Sequence, residues 1–178
     1  MKEKADKQSR QTRIDRKKIG KAKRQDVPFS SHGQWTPAAN RPDPVRLLKA
    51  QDEDRVEKLI PIKYGRMLVS PFTFYRGSAI LMANDLANTP TTGIEAILCG
   101  DAHLSNFGVF ATPERRMVFD VNDFDEAFLG PWEWDLKRLA ASAVIAGRDN
   151  GFNEKTCRLL AGETARAYGQ AMGLFSEM

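Results

Sequence analysis

Apolar positions along this chain come in two patterns. Two short unbroken runs, Ile97-Leu98-Cys99 and Met117-Val118-Phe119, are bounded by turn signals and are too brief for helices. They predict strands over residues 95–99 and 117–120, with a turn over 111–116, and so a short β-hairpin. Elsewhere the apolar residues recur at helical spacing. Val45, Leu47 and Leu48, then Val56, Leu59 and Ile60, predict an amphipathic helix, and 62–67 continues it after a break at Pro61. Ser70 followed by Pro71 is a helix start, and Phe72, Tyr75, Ile80, Met82 and Leu86 form its core-facing set. Gly77 marks a close packing contact. Gly130-Pro131 breaks the chain before a helix over 132–147. Its buried face is predicted to hold Trp134, Leu136, Leu139, Ala140 and Val144. Asn153 caps a last helix containing Leu159, Leu160, Ala165, Tyr168 and Met172. The predicted class is α+β and mostly helical.

The first 42 residues behave differently. They are polar and charged, without apolar periodicity, and end in a linker punctuated by Pro28, Gly33, Pro37 and Pro42. The expectation is a disordered basic tail and linker over 1–42, with no more than a transient helix, and one domain over 43–178. This segment also explains the charge. Residues 1–26 carry 11 Lys and Arg against 4 Asp and Glu, a net of +7, so the remainder of a chain whose total is +4 nets −3. Such a tail suits weak contact with nucleic acid or an anionic surface, or simply a solvated extension. His32 sits in the linker, where a lone histidine carries no chemistry of its own.

Other bulk properties narrow the classes. At 178 residues the chain can bury a core. No apolar run approaches the roughly 20 residues that span a bilayer. The N-terminus lacks an apolar secretory core, which points to the cytoplasm. Two cysteines, Cys99 and Cys157, make no disulfide framework.

Candidate chemistry concentrates where the two predicted strands end. The first run gives way to Gly100-Asp101, followed by His103 and Asn106. The second gives way to Asp120, Asn122, Asp123, Asp125 and Glu126. Carboxylates and an amide are hard oxygen donors of the kind magnesium takes, with water and phosphate oxygens in its other positions. An aspartate five residues before an asparagine, then a strand ending in aspartate, is also a layout used for phosphoryl transfer. A loop crossing back over the strand ends would bring the two clusters together. So many carboxylates repel unless a cation or arginine compensates. Arg66 and Arg76 are cations near this surface, suited to a phosphate, to the acidic cluster or to plain salt bridges.

GDAHLSNFG resembles the catalytic loop of the protein-kinase-like superfamily in its aminoglycoside phosphotransferase and choline kinase branch, and NDFDEAFLGPWEWDL resembles the segment that follows there. Cys99 departs from the histidine usual in that branch. The resemblance implies the catalytic-lobe portion of a kinase-like fold. It makes Asp101 the catalytic base, Asn106 and Asp123 metal ligands, and Asp135 the brace of the loop. His103 becomes a structural loop residue and Asp125 a neighbour able to stand in for Asp123. Mg2+ and ATP are the implied cofactors, with a phosphate acceptor that the sequence does not name. Over residues 66–151 the chain also resembles a bacterial family called domain of unknown function 2252. Relatives there are longer, with a glycine-rich segment and a lysine strand following these motifs. No such phosphate loop stands before Asp101, so the expectation is a truncated chain that binds magnesium weakly and ATP hardly at all. Asp101-Ala102-His103 also mimics the opening of a metallophosphoesterase, although only two histidines are present. A non-catalytic fragment with a nucleic-acid-binding tail is the third reading.

Overall fold

The computed structural model describes residues 12–177. It is an α+β fold dominated by helices, with two separate two-stranded sheets. The helices are α1 (Arg13–Asp26), α2 (Pro44–Ala50), α3 (Ile60–Met67), α4 (Pro71–Arg76), α5 (Ala79–Leu86), α6 (Glu133–Asp149) and α7 (Glu154–Phe175). The strands are β1 (Glu95–Leu98), β2 (Phe107–Ala111), β3 (Met117–Val121) and β4 (Phe128–Pro131).

Strand pairing differs from expectation. The two strands read from sequence do not pair with each other. β2 and β3 form the antiparallel hairpin, with Phe107 opposite Val121 and Ala111 opposite Met117. β1 pairs antiparallel with β4, with Glu95 opposite Pro131 and Leu98 opposite Phe128. The hairpin is thus inserted between the two strands of the other sheet. That nesting folds the polar end of β1 and the polar end of β3 back onto each other.

Helix ends follow their capping residues. Ser70 Oγ accepts from Thr73 N–H, and Thr73 Oγ1 accepts from Ser70 N–H, a reciprocal cap that starts α4. Asn153 Oδ1 accepts from Thr156 N–H at 2.9 Å and starts α7. The helix expected across Val45–Ile60 is split. Asp43 caps α2, the chain turns after Ala50, and Pro61 stands in the first turn of α3, where its missing N–H has no partner to lose. The segment after Ser70 is also two helices, parted at Gly77. A Cβ there would come within 2.7 Å of Met67 Cγ, so the glycine lets α3 and α4 close up.

The core is small. Leu48, Met67, Leu86, Leu98, Cys99, Ala102, Ala143 and Cys157 are its buried apolar members. Of the residues predicted inside on α7, Leu159 and Met172 are exposed, and Cys157 is the helix's buried residue. Gly147 of α6 lets that helix approach: a Cβ would lie 3.1 Å from Cys157 Sγ.

Arg13–Asp26 is helical. Thr12 and Asp15 form a reciprocal cap, and Lys23 and Arg24 stand in the last turn, where they complement the helix dipole. The helix buries none of its residues, in keeping with its solvated composition. The linker is held to the body by Arg41, which reaches Asp85 through two bonds of 2.6 and 2.8 Å and lies over the Trp35 ring. Residues 1–11, the rest of the predicted tail, lie outside the described residues. Among the described residues no helix is long and apolar enough to cross a membrane.

Candidate functional site

The site is built on the turn that follows β1. Leu98 and Cys99 are buried, and Gly100 then takes a φ of +82°, which favours glycine. A Cβ at Gly100 would sit 2.0 Å from the Glu126 carbonyl oxygen. The absent side chain therefore lets the turn lie directly against the segment after β3. A second tie comes from Asn122 N–H, which donates to the Asn106 carbonyl at 3.0 Å. These two approaches join the clusters that the sequence separates by some twenty residues.

Asp101 and its neighbours are buried. Asp101 is 7 % exposed, His103 3 %, Asn106 7 % and Arg138 3 %. Arg138 Nε donates to Asp101 Oδ1 at 2.5 Å. The guanidinium is itself fixed, since its Nη2 donates to the Tyr75 carbonyl at 2.7 Å and its Cζ lies 4.1 Å from the Tyr75 ring centre. Tyr75 in turn donates its hydroxyl to the Arg138 carbonyl at 2.9 Å. A buried carboxylate with a buried, fully engaged cation is held in one position. Arg138 was not singled out from sequence. An arginine on an amphipathic helix ordinarily reads as part of its wet face. The available signal was its three-residue spacing from Asp135, which puts both on one face of α6.

Asp135 holds the turn from below. Its carboxylate accepts from the Cys99 N–H at 2.8 Å and the Gly100 N–H at 3.2 Å. Burial nevertheless pushes its carboxyl up from the ordinary aspartate value, against those two bonds. Burial also pushes the Cys99 thiol up to about 11. Cys99 is therefore a protonated packing residue rather than a nucleophile.

Asn106 Nδ2 donates to the Asp101 carbonyl at 2.8 Å. That bond fixes the amide and leaves Oδ1 without a donor among the described residues. His103 Nε2 lies 3.7 Å from Asp101 Oδ2, beyond a hydrogen bond, and its buried Nδ1 has no partner among the described residues. Burial pushes its pKa down, partly opposed by Asp101. The ring packs edge-on against Phe72.

Asp101, His103, Asn106, Asp123, Asp125 and Glu126 line one cleft of about 490 Å³. Asp123 Oδ1 accepts from Asp125 N–H at 3.2 Å, which leaves Oδ2 for the cleft. Glu126 reaches solvent, yet local desolvation and then the charges of Asp101, Asp123 and Asp125 push its carboxyl up. The neighbouring Asp120 and Asn122 do not line this cleft. Four cations do: Arg55, Lys63, Arg66 and Arg76. Arg55 and Lys63 had not been marked in the sequence, where they read as the charged face of a helix.

Magnesium has a compatible donor set here. Asn106 Oδ1 and Asp123 Oδ2 are hard oxygens without a donor among the described residues, and a cation would offset the carboxylate charges that, after desolvation, raise Glu126. Among the described residues no three His, Cys, Asp or Glu side chains gather closely enough to hold a metal ion by themselves. A magnesium ion held by Asn106 and Asp123 would take its other ligands from phosphate and water oxygens.

These features define an α+β protein with a polar cleft of mixed charge beneath a rigid, buried carboxylate turn. The chain belongs to the bacterial family described as "Uncharacterized protein conserved in bacteria" (DUF2252), whose model matches residues 55–178. No curated protein and no solved structure matches it.

Proposed function

We propose that the protein is a magnesium-dependent phosphotransferase, kinase-like in the layout of its site, moving a phosphoryl group from ATP to a hydroxyl. The supporting observation is that Asp101, Asn106 and Asp123, delivered by two separate segments, line a single cleft. Asp101 Oδ2, the oxygen not held by Arg138, takes the proton of the attacking hydroxyl. Arg138 keeps that carboxylate from turning away, and Asp135 keeps the backbone beneath it fixed. Positioning of this kind is much of what such a reaction needs from a protein. Magnesium, when bound by Asn106 and Asp123, supplies charge neutralisation to the phosphate oxygens. Asn106 orients its amide for that task by tethering Nδ2 to the Asp101 carbonyl.

The test is turnover of γ-labelled ATP with magnesium over a panel of hydroxyl compounds. Asp101→Asn keeps the shape of the side chain and one acceptor for Arg138 while losing the base. It should lower transfer by about a hundredfold or more. Equal transfer by the variant would overturn the assignment.

A further inference from the structure

Four cations line the cleft, and three of them have no ion pair among the described residues. Lys63 is accounted for, since its Nζ lies 2.8 Å from Asp52 Oδ1. Arg66 and Arg76 make no ion pair and no side-chain hydrogen bond among the described residues, and both are exposed. Arg55 likewise makes no side-chain bond there, and its charge is felt by Asp52. The three come from different places: the turn before α3, the last turn of α3 and the last turn of α4. Arg76 lies close enough to the Asp101 turn for its charge to depress the His103 pKa. Yet none of these guanidiniums is drawn onto Asp101, Asp123, Asp125 or Glu126, which line the same cleft. Arginines without an ion pair and the carboxylates of Asp123, Asp125 and Glu126 thus line one space without pairing to each other.

We propose that Arg55, Arg66 and Arg76 form a binding site for a terminal phosphate group, a dianion bound in the cleft that Asn106 and Asp123 also line. Guanidinium forks match the oxygens of phosphate in pairs, and three of them suit two negative charges better than a carboxylate's one. The group is either the terminal phosphate of the donor or a phosphate already on the acceptor. In the first case the arginines do the work that a glycine-rich loop does elsewhere, which the sequence lacks before Asp101. What the bound phosphate is for rests on the transfer reading. That it binds does not.

The probe is inorganic phosphate, titrated calorimetrically into the whole chain without magnesium, then repeated with ATP. Arg66→Gln and Arg76→Gln change exposed residues, and thermal melts check that each variant keeps its fold. Each should weaken phosphate binding by about tenfold, the scale of one charge-assisted bond. Arg166→Gln, on α7 and paired with Glu163 outside the cleft, should leave it unchanged. Competition between phosphate and ATP assigns the site to the donor, and simultaneous binding assigns it to a phosphorylated acceptor. Phosphate binding that falls in both variants sustains the site even if Asp101→Asn leaves no transfer to measure. Binding unchanged by both substitutions, or no binding at millimolar phosphate, overturns it, whatever becomes of Asp101.

Discussion

Arg138 Nε stands 2.5 Å from Asp101 Oδ1, and the two side chains are buried together, with the guanidinium against the Tyr75 ring. The pair ties helix α6 to the turn after β1. Its removal strands a charge in the interior, which is the expensive half of any buried ion pair.

Arg138→Met should therefore destabilise the fold by about 3–5 kcal/mol, the range for a buried charge deprived of its partner. Urea unfolding followed by tryptophan fluorescence measures this. A loss below about 1 kcal/mol would mean that Asp101 finds solvent or another partner once the guanidinium is gone.

Gly100→Ala meets two obstacles at once. The added Cβ falls 2.0 Å from the Glu126 carbonyl oxygen, and the backbone already has a φ of +82°. We expect a loss of roughly 2 kcal/mol or more, from strain together with separation of the two segments. The melting temperature is the readout. An unchanged melt contradicts the close approach described here.

Much of this fold is written locally. Ser70 with Pro71, and Asn153, start α4 and α7 because their side chains satisfy N–H groups that the helix itself leaves open. That Asp101, Asn106 and Asp123 line one cleft was also legible, because they stand out as polar groups at the ends of apolar runs. What escaped was non-local. β4 reads as a Gly-Pro break, and its pairing with β1 depends on a partner some thirty residues away. β2 follows the site loop without an alternating pattern to mark it. Arg138 shares one face of α6 with Asp135, and nothing in the sequence says that this face turns inward. The charged composition around Arg13–Asp26 hid a cap formed by Thr12 and Asp15.

The chain's two histidines should make it acid-sensitive. Burial lowers the pKa of His32, with Lys137 adding to the effect and Glu133 opposing it, and burial lowers that of His103 as well. The unfolded chain then takes up protons that the folded chain refuses. Stability is full above the ordinary value of 6.5 and falls as pH drops through the lowered folded values. His32→Gln should reduce the fall between pH 7.5 and 5.5, as read from urea midpoints. The same fall in variant and wild type would show that His32 titrates freely.

In the proposed reaction magnesium and a phosphate ligand meet at Asn106 and Asp123. Linkage makes it measurable: if they share the cleft, magnesium strengthens ATP binding and ATP strengthens magnesium binding by the same factor. Calorimetric titration of ATP with and without magnesium, into wild type and Asp123→Asn, tests this directly. The account predicts coupling of about fivefold or more in the wild type and its loss in the variant. ATP affinity indifferent to magnesium, or coupling intact in Asp123→Asn, would contradict it.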